Sequence, residues 1–200
     1  MRKLQDFSEK EKDFLLKIAR QTIENALDNK KTEVPKNTPP KLLEIGACFV
    51  SLHETGQLRG CIGSLEAHEP LIKNVISNAY NAAFRDPRFF PLQKNELVQI
   101  EISVLTSPKK LKYSDSADLL KKLKAPLDGV VLEKNGRSAT FLPVVWEHFA
   151  RHNGYDKEGF LSELCLKAGL GPDDWKDAKI EIYHAILICQ KLPSKRNSLL

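Results

Sequence analysis

The sequence predicts an α+β fold, a mainly antiparallel β-sheet with flanking helices. Stretches with a period of two come in pairs joined by short turns, as in hairpins. Helical stretches separate those pairs, without the regular βαβ alternation of a doubly wound parallel sheet. The 200 residues, 42% hydrophobic and 28% charged, suit a globular chain of one domain, or one domain with two lobes.

Ser8 opens an S-E-K-E capping box with Glu11 three residues on. Phe14, Leu15, Ile18, Ile23, Ala26 and Leu27 then recur at helical spacing to about Asn29, which predicts an amphipathic helix. Residues 30–43 hold three prolines; proline lacks the backbone donor and fixes φ, so they form an extended connector. Residues 46–53 and 58–65 read as two strands of one antiparallel hairpin. The turn between them, 54–57, contains a glycine that tolerates positive φ.

Pro70 begins a helix whose apolar stripe (Leu71, Ile72, Val75, Ile76, Ala79, Ala82, Ala83) runs to about Arg85. Asp86 precedes Pro87, which disfavours a further turn, so residues 85–92 form a loop. Val98, Ile100, Ile102 and Val104 alternate along a half-buried strand. Asp115 or Ser116 caps a short helix through about Lys124. The runs 129–133 and 137–142 flank Lys134-Asn135-Gly136, and Asn-Gly suits a type I′ turn. Pro143 opens a helix through VVWEHFARH, and another runs 157–168 to Gly169 and Gly171. Ile180, Ile182, Ile186 and Ile188 alternate along one final strand, with His184 on the same face. The expected organisation is one domain over 1–192, two-lobed in outline, and a flexible basic tail over 193–200.

Composition narrows the function classes. No apolar run reaches the 18 or so residues of a membrane span. The first residues carry charge where a signal peptide needs its apolar core, so a cytoplasmic protein is expected. Cys48, Cys61, Cys165 and Cys189 are scattered and form no C-x-x-C pair, which suits reduced thiols. The net charge of +5 is spread over 31 basic and 26 acidic residues, a solvated surface rather than a basic stripe.

The chemistry concentrates in LRGCIGSL, residues 58–65. Side chains alternate along a strand, so Arg59, Cys61 and Gly63 share one face and Leu58, Gly60, Ile62 and Ser64 the other. A thiol beside a guanidinium, on a surface opened by Gly60 and Gly63, makes Cys61 a candidate nucleophile. Arg59, Arg85 and Arg88 are candidate anion holders, because guanidinium fits carboxylate and phosphate in bidentate fashion. Asp86 could equally pair with one of them and make the cluster structural. A Cys–His pair would draw on His53, His68, His148, His152 or His184, and the sequence does not choose. His148 and His152 are four apart on a predicted helix, but Phe149 stands where H-E-x-x-H needs glutamate, and no metal site is assigned. Phosphate-loop, dinucleotide and serine-hydrolase motifs are absent, and no cofactor is assigned. Cys48 and Cys165 read as core thiols, and Trp146 and Trp175 as packing residues.

GACFVSL, LRGCIGSL, AAFRDPRFFPL, DGVVLEKNGRSATFLPVVW and LCLKAGLGPDDW, in this order, resemble the AMMECR family, the AmmeMemoRadiSam system protein A. LRGCIG is that family's signature, and the resemblance runs from about Lys10 to Cys189. It implies a two-lobed α+β architecture with antiparallel sheet. It also implies association with a Memo-like protein and a radical SAM protein in a shared pathway, and it supplies no established catalytic residue. Asp86, Pro87 and Arg88 match the second block, and Thr140, Leu142, Pro143 and Trp146 the third. Arg59, Gly60, Gly63, Arg85, Asp86, Arg88 and Thr140 are thus the candidate ligand-binding set. Phe90 stands where the second block usually carries proline, and EHFARHNGYD is particular to this chain.

Three functions are carried forward. One is a ligand- or partner-binding component of that pathway. Another is an enzyme on a small anionic or modified substrate, with Cys61 as nucleophile. The third, nucleic-acid binding, rests on the pI of about 8.9 alone.

Overall fold

The computed structural model describes residues 7–151 and 154–190. In chain order the elements are α1 (Glu9–Leu27), β1 (Ala47–Glu54), β2 (Gln57–Gly63), α2 (Leu71–Phe84), β3 (Gln99–Leu105) and β4 (Lys109–Lys110). They continue with α3 (Ser116–Lys122), β5 (Gly129–Lys134), β6 (Arg137–Phe141), β7 (Ala150–Arg151), β8 (Gly154–Tyr155), α4 (Lys157–Lys167), β9 (Lys179–Tyr183) and β10 (Ala185–Cys189). Two antiparallel four-stranded sheets result, ordered β10-β3-β1-β2 and β4-β9-β5-β6, with β7-β8 as a small ribbon. The expected α+β fold is the one observed. The chain divides into two compact units, Met1–Leu105 with Ile186–Leu200, and Thr106–Ala185.

In the first unit, α1 starts where the capping box places it. The Ser8 amide donates to Glu11 Oε2 at 2.8 Å, and the Glu11 amide to Ser8 Oγ at 3.3 Å. Two helix-end donors are thereby satisfied. Leu15, Ile18, Ala19 and Ile23 of α1, and Leu71, Ile72, Val75, Ala79 and Ala82 of α2, are buried with Cys48, Val50, Leu52, Ile100 and Ile102 of the sheet. Each fully buried Leu or Ile contributes roughly 1.5–3 kcal/mol. The opposite face of β1 carries Phe49, Ser51 and His53, as strand alternation requires.

The β1–β2 hairpin turns through Thr55 and Gly56, both at positive φ (49° and 83°), the type I′ signature. From that turn an unbroken register would set Ser51 opposite Gly60. A β-bulge intervenes: His53 pairs with Leu58 but Leu52 with Gly60, so Arg59 is the extra residue and Ser51 faces Cys61.

The second unit is built the same way. Asn135 and Gly136 (φ 53° and 74°) close the β5–β6 hairpin. Its core holds Leu119, Val130, Leu132, Trp146, Phe160, Leu161, Leu164 and Cys165. The Trp146 ring stacks on Phe160 at 3.6 Å between centroids, and its Nε1–H donates to the Asp128 carbonyl at 2.7 Å. α4 ends where expected: Gly169 takes φ 72°, and the Leu170 amide donates to the Cys165 carbonyl at 2.9 Å.

Two expectations are corrected. VVWEHFARH is not one α-helix: Pro143–Phe149 is a 3₁₀ turn, and the chain then becomes β7. The Asp156 amide takes the Phe149 carbonyl and β7 pairs with β8, so continued helical bonding has lost its partners. His148 therefore does not share an α-helical face with position 152; His152 lies outside the described residues, as does the expected 193–200 tail. The single strand expected through Ile180–Ile188 is two strands in two different sheets, β9 and β10, divided at His184. Thr106 makes the break: its amide donates to the His184 carbonyl at 2.9 Å, and its hydroxyl accepts from the His184 amide at 2.9 Å.

Candidate functional site

β2 is an edge strand, and an edge strand leaves alternate backbone groups unpaired. At Cys61 those groups are taken up by the loop after α2. The Cys61 amide donates to Asp86 Oδ2 at 2.8 Å, and the Cys61 carbonyl accepts from Arg88 Nη2 at 3.1 Å. Asp86 and Arg88 together stand in for a neighbouring strand. Local chemistry sets them there: α2 stops at Phe84, Pro87 prevents its renewal, and Asp86 folds the loop back on itself. Asp86 Oδ1 accepts from the Arg88 amide at 3.1 Å, the side-chain-to-backbone bond of an Asx turn.

Asp86 is 4% exposed. Its carboxylate also accepts from Arg88 Nε at 2.9 Å and Arg88 Nη2 at 2.7 Å. The Arg88 guanidinium, helped by the Cys61 and Arg88 amides and opposed by burial, holds the Asp86 carboxyl down at about 2. In return Asp86 raises the pKa of Arg88, and the Cys61 sulfur adds to that effect.

The two glycines of the motif are occupied by protein. A Cβ on Gly60 would lie 2.2 Å from the Ala82 carbonyl oxygen of α2, and one on Gly63 2.4 Å from the Phe49 ring. The surface that alternation leaves open on paper is closed by α2 and Phe49. The glycines permit close approach of backbone and ring rather than an open face.

Arg59 does not sit on the Cys61 thiol. Its Nε and Nη2 donate to Glu96 at 2.6 and 3.1 Å, and its guanidinium lies 5.9 Å from the Phe89 ring centroid. Its Nη1 is buried without a hydrogen-bond partner. Glu96, which also accepts from the Gln93 amide at 2.6 Å, is held below the usual carboxylate range, by Arg59 above all. Arg85 is exposed and lies over the Tyr80 ring at 5.4 Å. The Cys61 sulfur accepts from Ser51 Oγ at 3.3 Å. His68 pairs with Glu66, and His184 with Asp128 in the second unit. Among the described residues no imidazole hydrogen-bonds the Cys61 sulfur.

The structure therefore brings Cys61, Asp86 and Arg88 together, with Arg59 held beside the same loop through Glu96 and Phe89. Thr140 is in the second unit, where its hydroxyl donates to the Val130 carbonyl at 2.9 Å and meets Tyr183 Oη at 2.8 Å. Sequence reasoning missed Glu96, Ser51 and Phe89. Glu96 lies in a stretch without periodicity, and nothing local marks it. Ser51 would follow from the hairpin turn only if the bulge at Arg59 were known. Also in the second unit, a depression of about 390 Å³ is lined by Glu133, Lys134, Gly136, Asp177 and Lys179. Its lysines are paired with Asp174, Asp177 and Glu133.

Comparison with known proteins agrees with this architecture. The AMMECR1 family model matches residues 16–187. Protein LS215_2104 of Saccharolobus islandicus is 41% identical over 189 residues, covering 90% of this chain and 82% of its own. Protein NEQ441 of Nanoarchaeum equitans is 40% identical over 172 residues, covering 84% and 93%. The crystal structure of uncharacterized protein PH0010 from Pyrococcus horikoshii superposes with a TM-score of 0.82 at 36% identity, covering 90% of this chain and 92% of that one.

Proposed function

We propose, from the premise that this chain belongs to the AMMECR1 family, that it is a ligand- or partner-binding component rather than a catalyst. One observation carries the reading. Both guanidiniums nearest the LRGCIG strand are committed to carboxylates, and the Arg88–Asp86 pair is further committed to the backbone of Cys61. Groups locked in such a network hold a surface in shape; they do not need to move protons. The family resemblance supplies the expected partners, a Memo-like protein and a radical SAM protein.

The test uses the immobilised full chain and each purified candidate partner, with and without a small anion. Retention by the wild type, and loss with Arg88→Glu, supports the reading. If neither partner is retained under either condition, the reading fails.

A second reading keeps Cys61 as a nucleophile. Its support is the Ser51 hydroxyl on the sulfur and the Arg88 guanidinium at the same residue. It requires Cys61→Ala to remove turnover of an anionic or electrophilic substrate while the fold is retained. A variant as active as the wild type ends it.

A further inference from the structure

We propose that the face of the first sheet turned away from α1 and α2 binds a small aliphatic amine, with Glu101 as the anchor for its ammonium group. The inference goes beyond the partner-binding reading, and either can fail without the other.

The site is a row of side chains across the four strands. Ser51 of β1 stands opposite Cys61 of β2 on one side and Glu101 of β3 on the other. The Gln190 amide donates to the Ile100 carbonyl at 3.0 Å, which sets Cys189 of β10 opposite Glu101 and Leu187 opposite Ser103. Two hydrogen bonds run along the row: Ser51 Oγ to Cys61 Sγ at 3.3 Å, and Cys189 Sγ to Glu101 Oε2 at 3.6 Å. Cys48, Val50, Ile100, Ile102 and Ile188 are buried with the helices, so strand alternation puts the row on the other face.

Glu101 is the unbalanced charge of that face. Asp86 and Glu96 of the same unit each pair with a guanidinium. Glu101 is half-buried on an inner strand, and among the described residues no Lys, Arg or His pairs with it. Its side chain has one hydrogen-bond partner there, the Cys189 thiol. Burial and Glu101 itself push that thiol up to about 11, so it is a neutral donor and no counter-charge. A carboxylate taken partly out of water calls for a cation. The surroundings select its form. Among the described residues no three His, Cys, Asp or Glu side chains form a group that holds a metal ion. A guanidinium takes both oxygens of a carboxylate, and Oε2 is engaged by the thiol. An ammonium needs only Oε1, and its other donors have the Ser51 hydroxyl oxygen across the strand pair. Leu187, 47% exposed and diagonal to Glu101, gives a short carbon chain an apolar wall. Cys189 is exposed as well, so the row is open at β10.

The probe is n-butylammonium chloride, titrated into the full chain. Binding is read by nuclear magnetic resonance, from the Glu101 carboxyl carbon in the wild type and from the amides of residues 99–103 in the variants. Support requires a saturable shift with a dissociation constant on the order of 1 mM. Glu101→Gln must weaken binding by on the order of tenfold or more, the loss of one charge-assisted hydrogen bond. Leu187→Lys, at an exposed position, offers Glu101 an ammonium from within the chain and must abolish binding. Far-UV circular dichroism checks both folds, and if Glu101→Gln does not fold, Leu187→Lys decides. No saturable shift, the same shift with potassium chloride at equal ionic strength, or unchanged affinity in the decisive variant overturns the proposal. A chain that ignores the amine but retains a partner ends this proposal and leaves the partner reading standing; amine binding without partner retention does the reverse.

Discussion

Asp86→Asn tests whether the Asp86–Arg88 clamp holds the edge of the sheet. Asp86 is nearly fully buried, and its carboxyl is lowered from an ordinary 3.8 to about 2, chiefly by Arg88. That difference corresponds to about 2 kcal/mol of folding free energy. The amide that replaces the carboxylate also turns a donor toward the Cys61 or Arg88 donors. The side chain of Arg88 is 55% exposed and regains water, which keeps the total near 2–3 kcal/mol, below the cost of breaking a fully buried ion pair. The folded pKa is depressed, so the contribution is complete above about pH 4 and is lost as pH falls through about 2. The assay is urea unfolding followed by far-UV circular dichroism at several pH values from 7 to 2. Both tryptophans lie in the second unit, so their fluorescence does not report this site. The variant should be less stable by about 2–3 kcal/mol at pH 7, and the gap to wild type should close toward pH 2. Amide exchange at Cys61 should quicken by on the order of tenfold or more. A loss under about 0.5 kcal/mol at pH 7, or a gap unchanged between pH 5 and pH 2, would refute the reasoning.

Three further outcomes follow from the same geometry. Gly60→Ala puts a Cβ against the Ala82 carbonyl of α2, which cannot give way as a flexible side chain can, and should cost roughly 3 kcal/mol or prevent folding; thermal melts check it. Native alkylation should spare Cys48 and Cys165, both fully buried, with burial pushing the Cys48 thiol up to about 12. Cys189 is exposed, yet burial of its thiol and the neighbouring Glu101 push it up to about 11, so at pH 8 it should react on the order of 100-fold more slowly than a free thiol, read by mass spectrometry. Gly136→Ala, at φ 74° in an open turn, should cost about 1 kcal/mol by backbone strain alone, and Gly56→Ala at φ 83° a similar amount, each seen as a lower urea midpoint with an unchanged slope.

What the sequence determined by itself was whatever is decided within a few residues. The capping box at Ser8, the Asn135-Gly136 turn, the alternation before Val104 and the Gly169 stop are local balances of sterics and hydrogen bonding, and each stands where the pattern places it. The antiparallel α+β class follows from those pieces, because hairpins pair neighbouring strands. The fate of Arg59, Gly60 and Gly63 was decided by tertiary structure. A one-residue bulge moves Cys61 opposite Ser51, Glu96 captures Arg59 across 37 residues of sequence, and α2 closes over Gly60. The division of β9 from β10 at His184 likewise depends on Thr106, 78 residues away. Such contacts cost chain entropy to close and are settled by which buried donors and acceptors find partners, and periodicity carries no record of that.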